Sequence, residues 1–332
     1  MTLSKSSIAV VGGSGFIGTR LVQRLLAAGR SVRIVDVARS QTFGELTQLC
    51  DVRDATALKS ALTDVDVVYN LSAEHRDDVK PTRLYDEVNV GGAHNVCRAA
   101  SEAGVRQLIF TSSVAVYGEQ SGRPDEQTTP RPCHDYGRTK SQAEQVYRGW
   151  AASRRDRSLV IIRPTVVFGE GNRGNVYNLM RQIAAGRFLM IGDGGNRKSM
   201  AYVENVAALL QFATRFGSGE HLYNYADEPD YDMKTLVETI RGRLGMERST
   251  PPRVPYALGH AVGMLCDIAA GVSRRRFPVS VARVKKFVTE TRFDSTKIRQ
   301  AGFQPQVSLE QGLDRMIAAE FGGGATARRT AA

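Results

Sequence analysis

Three side chains could run a redox reaction on an alcohol: Ser113, Tyr136 and Lys140. Tyr136 and Lys140 stand four residues apart in Tyr136-Gly-Arg-Thr-Lys140, about one helical turn, so a helix sets them on one face. An ammonium beside a phenol favours the phenolate and would lower a pKa that otherwise lies at about 10. A tyrosinate held in this way can take the proton of a hydroxyl while hydride leaves the same carbon for a nicotinamide. Ser113 closes Thr111-Ser-Ser113 behind an apolar run, where a hydroxyl can hydrogen-bond the reacting oxygen. Its distance from Tyr117 favours Ser113 over Ser112 for that role, and Ser112 is placed among the substrate contacts.

A second group of residues would hold the hydride acceptor. Gly12-Gly-Ser-Gly15-Phe-Ile-Gly18 follows Ile8-Ala-Val-Val11 directly and opens an amphipathic helix. Gly12, Gly15 and Gly18 suit a tight turn, close approach to a pyrophosphate and close helix packing, with Phe16 and Ile17 at the start of the helix beside the cofactor. Asp36 ends the next apolar run, where a carboxylate accepts both ribose hydroxyls and repels a 2′-phosphate, so NAD is expected rather than NADP. Arg39 is a nearby opposing signal. Asp51 and Val52 are expected at the adenine, and Leu71 at the edge of the same crevice. No histidine or cysteine spacing fits a metal.

These residues require strands that end where the ligand lies. Apolar β-branched runs predict strands at 8–11, 32–36, 45–50, 66–71, 107–112 and 158–163. Helical patterns fill 16–28, 54–63, 82–103 and 138–155. That alternation implies right-handed crossovers, hence an α/β doubly wound parallel sheet of the Rossmann kind, with its ligand at the carboxyl ends of the strands. Residues 1–165 form the NAD-binding domain, and 200–225 return to it through a helix at 204–216 and a strand at 222–225. A smaller substrate-binding lobe takes 166–199 and 226–320, with a helix at 175–186 and short strands near 188–191 and 199–203. A Gly/Ala/Arg-rich flexible tail, 321–332, is expected to fray.

With 332 residues and 42% hydrophobic content, the chain can fill such a core. Cys50, Cys97, Cys133 and Cys266 are scattered and read as reduced thiols. The first strand starts too early for a signal peptide to precede it, so a cytoplasmic protein is expected. The net charge of +11 is uneven: residues 270–300 hold nine Lys or Arg against Glu290 and Asp294. Nucleic acid, an anionic membrane or a phosphorylated substrate would each suit this charge. No aromatic residues alternate with the cations, which argues against nucleic acid.

The glycine turn, Asp36, Ser113 and Tyr136-x-x-x-Lys140 together resemble the extended short-chain dehydrogenase/reductase family, in its nucleotide-sugar epimerase/dehydratase branch, over about residues 7–320. The resemblance implies bound NAD, with Ser113, Tyr136 and Lys140 as the catalytic set and Lys140 also touching the cofactor. Asn89 in Val88-Asn-Val-Gly-Gly92 matches a motif found near the active site in that family. It also implies dimerisation through the helices at 82–103 and 138–155. Dehydratases of the branch carry an acidic pair after the serine, but here Val114-Ala-Val116 follows, so dehydration lacks its acid and base, whereas a 4-epimerase needs neither. Val166 replaces an asparagine that UDP-galactose epimerases use on their substrate.

Further stretches resemble a narrower group, bacterial epimerases acting on N-acetylhexosamine carried by undecaprenyl diphosphate, early in O-antigen assembly. They are Ala73-Glu-His-Arg-Asp-Asp-Val79, Asn172-Arg-Gly-Asn-Val-Tyr-Asn-Leu179, Lys198-Ser-Met-Ala-Tyr-Val203 and Arg283-Val-Lys-Lys-Phe287. The resemblance implies that Asn175, Asn178 and Lys198 meet the sugar and diphosphate. It also implies peripheral contact with the cytoplasmic face of the inner membrane. The apolar stretch 256–272, ending before Arg274-Arg-Arg276, would lie in that interface, although at about 17 residues it is marginal for crossing a bilayer. Rival readings are a soluble UDP-N-acetylhexosamine 4-epimerase, a 4-ketosugar reductase or hydroxysteroid dehydrogenase, and a non-catalytic dinucleotide sensor.

Overall fold

The computed structural model describes residues 7–76, 79–246, 251–273 and 280–329. The chain begins β1 (Ser7–Val11), α1 (Phe16–Ala27), β2 (Ser31–Asp36), β3 (Thr47–Leu49), α2 (Ala55–Ala61) and β4 (Val67–Asn70). It continues with α3 (Arg83–Tyr85), a π-helical turn Asp86–Gly91, α4 (Gly92–Glu102), β5 (Gln107–Thr111), α5 (Asp135–Ala152) and β6 (Ser158–Pro164). Then come β7 (Val166–Phe168), α6 (Asn175–Ala184), β8 (Met190–Ile191), β9 (Arg197–Tyr202), α7 (Val203–Phe212) and β10 (Gly219–Tyr225). The last elements are β11 (Asp227–Asp232), α8 (Met233–Arg243), β12 (Arg253–Val254), α9 (Tyr256–Ser273), α10 (Val281–Val288), α11 (Thr296–Gln300) and α12 (Leu309–Arg329).

Seven strands form one sheet in the order β10-β6-β5-β4-β1-β2-β3, and the pairings are parallel. The central strands β1, β4, β5 and β6 are mostly apolar because both their faces are covered. In β1, Ile8 and Val10 point into a core with Leu21, Leu25, Val206 and Leu209, on the side of α1 and α7. Ala9 and Val11 point the other way, against Leu58, Val96, Tyr147 and Trp150 from α2, α4 and α5. Each large apolar side chain removed from water in this way contributes about 1.5–3 kcal/mol. Since β1 lies between β2 and β4, the chain winds off in both directions, and a crevice opens at the carboxyl ends of β1 and β4.

The chain divides into two compact units. The first holds Met1–Val167, Ala201–Asp227 and Phe293–Val307, and the second Phe168–Met200, Glu228–Arg292 and Ser308–Ala332. The sequence reading assigns 293–307 to the substrate lobe. Instead Ile298 and Phe303, at 0% and 4% exposure, complete the first unit's core. Helix α12 runs on to Arg329, through residues expected to fray. Helix α5 starts at Asp135, earlier than the expected 138, because His134 Nδ1 accepts a hydrogen bond from Gly137 N at 3.1 Å and caps it.

Candidate active site

At the end of β1, an added Cβ on Gly12 would meet Ser72 N at 2.6 Å, and one on Gly18 would meet Gly13 Cα at 2.6 Å. The protein itself demands glycine at both. Gly15 differs: it is exposed, and its Cβ would meet only Gly12 O, at 3.4 Å. Gly15 also caps α1 with no side-chain acceptor, so the first-turn N–H groups that come after it, beginning with Phe16 and Ile17, face an open approach. Asp36 Oδ2 accepts Ser14 N at 2.9 Å and Oδ1 accepts Ala38 N at 3.2 Å, which fixes the carboxylate at the tip of β2. Leu71 N is bonded to Val11 O at 2.8 Å, which brings Leu71 beside Gly12. These donors, this open glycine and this acid fit a dinucleotide.

Two cofactor expectations change in detail. Asp51 is clasped by Arg53, with Oδ1 accepting the backbone N–H at 2.9 Å and Nε at 3.0 Å, and this guanidinium holds the carboxyl below its usual range. Its carboxylate is therefore committed to Arg53. Val52 is buried beneath Gly92, where an added Cβ would come within 2.9 Å of Val52 Cγ2.

Ser113 follows β5 in extended conformation, and its hydroxyl favours the ionised form of the Tyr136 phenol. Tyr136 and Lys140 lie in the first two turns of α5. Tyr136 keeps some exposure, yet burial pushes its phenol up to about 12, opposed by the Ser113 hydroxyl. Lys140 is 2% exposed, donates to Thr111 O at 2.8 Å and lies 4.7 Å above the Phe110 ring. Burial pushes it down to about 7, opposed by Glu144. The expected lowering of the phenol by Lys140 is thus not what the protein alone produces: desolvation dominates both groups, and it favours their neutral forms.

Ser112, expected among the substrate contacts, is 2% exposed and donates to Glu144 Oε1 at 2.6 Å. That hydroxyl faces the interior, whereas Ser113 stays accessible. Asn89 accepts Glu74 N at 2.8 Å and donates to Thr139 Oγ1 at 2.9 Å, which joins the loop after β4 to α5. The sequence reading missed Glu144, Arg163 and the capping His134. The signal for Glu144 was its position, another turn beyond Lys140.

Asn175, Asn178 and Lys198 belong to the second unit. Asn175 is exposed at the first position of α6, and Asn178 Nδ2 donates to Arg173 O at 3.4 Å. Lys198 donates to the carbonyls of Lys286 (3.1 Å) and Thr289, at the end of α10. Its charge therefore caps that helix, and burial together with Lys286 pushes it down to about 8.

The chain is 45% identical over 317 residues to N-acetyl-alpha-D-glucosaminyl-diphospho-ditrans,octacis-undecaprenol 4-epimerase of Escherichia coli O157:H7, covering 95% of each chain. It shares the fold of the Thermus thermophilus UDP-glucose 4-epimerase, solved with NAD (TM-score 0.72, 22% identity, 94% of this chain and 98% of that one). It also shares the fold of UDP-N-acetylglucosamine 4-epimerase from Methanobrevibacter ruminantium M1 (TM-score 0.76, 20% identity, 97% and 100%). The model of the NAD dependent epimerase/dehydratase family matches residues 8–226, and the chain belongs to that family.

Proposed function

We propose that the protein is an NAD-dependent C4 epimerase that interconverts N-acetylglucosamine and N-acetylgalactosamine on undecaprenyl diphosphate, for surface polysaccharide (O-antigen) synthesis. The observation that carries the substrate class is the 45% identity to the Escherichia coli O157:H7 enzyme along 95% of both chains, second unit included. When bound, NAD supplies a hydride acceptor that is regenerated in each cycle. Tyr136 takes the proton of the C4 hydroxyl through its phenol oxygen as C4 is oxidised, and returns it once the 4-keto sugar has turned over. Ser113 donates to the same sugar oxygen. Lys140 supplies positive charge near the phenolate. Gly12, Gly15, Phe16, Ile17, Gly18, Asp36, Asp51, Val52 and Leu71 line the cofactor, with Asp51 acting through its backbone. In the second unit, Asn175 and Asn178 offer amides at the N-terminus of α6, where an anion is favoured, and Lys198 adds charge.

A lipid-linked sugar requires the enzyme to work at a bilayer surface. No helix among the described residues is long and apolar enough to cross a membrane. Helix α9 instead exposes Leu258, Val262 and Leu265, at 56%, 41% and 68%, spaced to share one face. Helix α10 packs against it and exposes Lys285 and Lys286. Arg274, Arg275 and Arg276 lie outside the described residues. An exposed apolar face on one helix and exposed cations on the helix packed against it suit the surface of an anionic leaflet. Substituting Leu258→Asp together with Leu265→Asp is expected to weaken co-sedimentation with anionic vesicles roughly tenfold or more, with NAD binding retained. Sedimentation equal to the parent's would remove α9 from the interface.

The deciding experiment offers undecaprenyl-diphosphate-N-acetylglucosamine and UDP-N-acetylglucosamine separately to purified protein with NAD, then identifies the released amino sugar. The expected result is conversion of the lipid-linked sugar alone. Conversion of the UDP-sugar alone would return the protein to the UDP-sugar epimerases. Net cofactor consumption would instead indicate a ketosugar reductase.

A further inference from the structure

Beneath the reacting residues lies a carboxylate with no part in the proton transfer itself. Glu144 is 0% exposed and sits one helical turn after Lys140 on α5. Its Oε1 accepts Ser112 Oγ at 2.6 Å and Arg163 Nε at 2.8 Å, and its Oε2 accepts Arg163 Nη2 at 2.5 Å. Arg148 approaches Oε2 at 3.4 Å from the more open side. Arg163, 1% exposed on β6, also donates to Tyr117 OH at 2.8 Å, and that hydroxyl donates to Asn224 Oδ1 at 2.8 Å. One carboxylate thus joins three elements: α5, which carries Tyr136 and Lys140; the end of β5, where Ser112 precedes Ser113; and β6.

A plain packing role does not call for charge in this place. Burying an ion pair is costly, and well-packed apolar residues often replace one without loss of stability. The groups around Lys140 show what the charge does. Thr111 O and the Phe110 ring face it from β5, and Tyr136 and Glu144 stand one turn to either side of it on α5. Arg163 and Tyr117 lie behind Glu144, with Arg148 at its side. Glu144 opposes the effect of burial on Lys140.

We propose that Glu144 is a positioning residue for the reaction: it keeps Lys140 a cation against Thr111 and, through Ser112, fixes the end of β5 so that Ser113 faces Tyr136. The inference rests on Ser113, Tyr136 and Lys140 being the reacting set. Losing Glu144 alone strands the buried Arg163 guanidinium. The test therefore pairs Glu144→Gln with the double variant Glu144→Gln/Arg163→Met, which removes both charges, and with Glu144→Asp, which keeps the carboxylate.

Lys140 is titrated in cofactor-free protein by NMR of isotope-labelled lysine, alongside the pH profile of kcat on the lipid-linked sugar. In the folded double variant, the Lys140 midpoint is expected to fall by about one pH unit or more. The pH at which kcat levels off should move down with it and the plateau should fall while KM holds, because a neutral amine no longer supports the phenolate. Glu144→Asp should restore both in part. A folded double variant with the parent's midpoint and profile would overturn the proposal and leave Glu144 a packing residue. If the parent converts no sugar, the functional reading fails, and the NMR titration still decides whether Glu144 sets the charge of Lys140.

Discussion

Replacing Tyr136 by phenylalanine is expected to lower epimerisation by about three orders of magnitude, the scale of a lost general acid/base, while NAD stays bound. The substitution removes one oxygen. The ring keeps its place on α5, and Gly12, Gly15, Gly18 and Asp36 lie on other elements of the first unit. The Ser113 hydroxyl still accepts Ala115 N at 3.2 Å, so the segment after β5 keeps its local support. Turnover and NAD content measured on the same preparation separate the two effects. Loss of both would indicate a collapsed site, and turnover within tenfold of the parent would mean that another group takes the proton. The pH dependence has a definite sign. The phenol, raised to about 12, acts as a base only after losing its proton, and Lys140, lowered to about 7, must keep its own, so activity is expected to climb as pH rises to neutrality and then to level off.

Features set by local spacing are legible in the sequence. Apolar β-branched runs announce the parallel strands, since a strand buried on both faces has no polar alternation to obscure it. The glycine turn, Asp36 and the Tyr136–Lys140 step are each set by a few neighbouring residues. Contacts between segments distant in the chain are harder to read. Arg53 lies two residues from Asp51, yet whether it clasps that carboxylate or faces solvent depends on the turn after β3. Nothing near Lys198 in the sequence shows that the carbonyls of Lys286 and Thr289, some ninety positions further on, meet its ammonium. The return of 293–307 to the first unit depends on Ile298 and Phe303, two apolar residues in a polar stretch that no short period reveals. Glu144 and Arg163 were hidden because a charged pair inside a core is rare enough that each residue alone reads as surface.

Substituting Gly137→Ala is expected to cut turnover by about a hundredfold, with a loss of stability, even though helix propensity argues for the opposite. Gly137 lies inside α5, where alanine would ordinarily stabilise by about 1 kcal/mol. Here, however, a Cβ would overlap the carbonyl oxygen of Ala115, a backbone atom that cannot swing aside, with Pro132 Cβ at 3.2 Å behind it. Overpacking against backbone costs about 1–3 kcal/mol, more than propensity returns. The relief available is for α5 to back away from the segment after β5, which separates Tyr136 from Ser113. A displacement of about 1 Å in reacting geometry is enough for a hundredfold loss. Gly149→Ala provides the control, since the same helix leaves nothing within 4 Å of a Cβ at that position. That variant should melt slightly higher than the parent and turn over normally. Should Gly137→Ala behave like Gly149→Ala in both respects, the close seat of α5 on Ala115 is not what aligns the phenol with the serine.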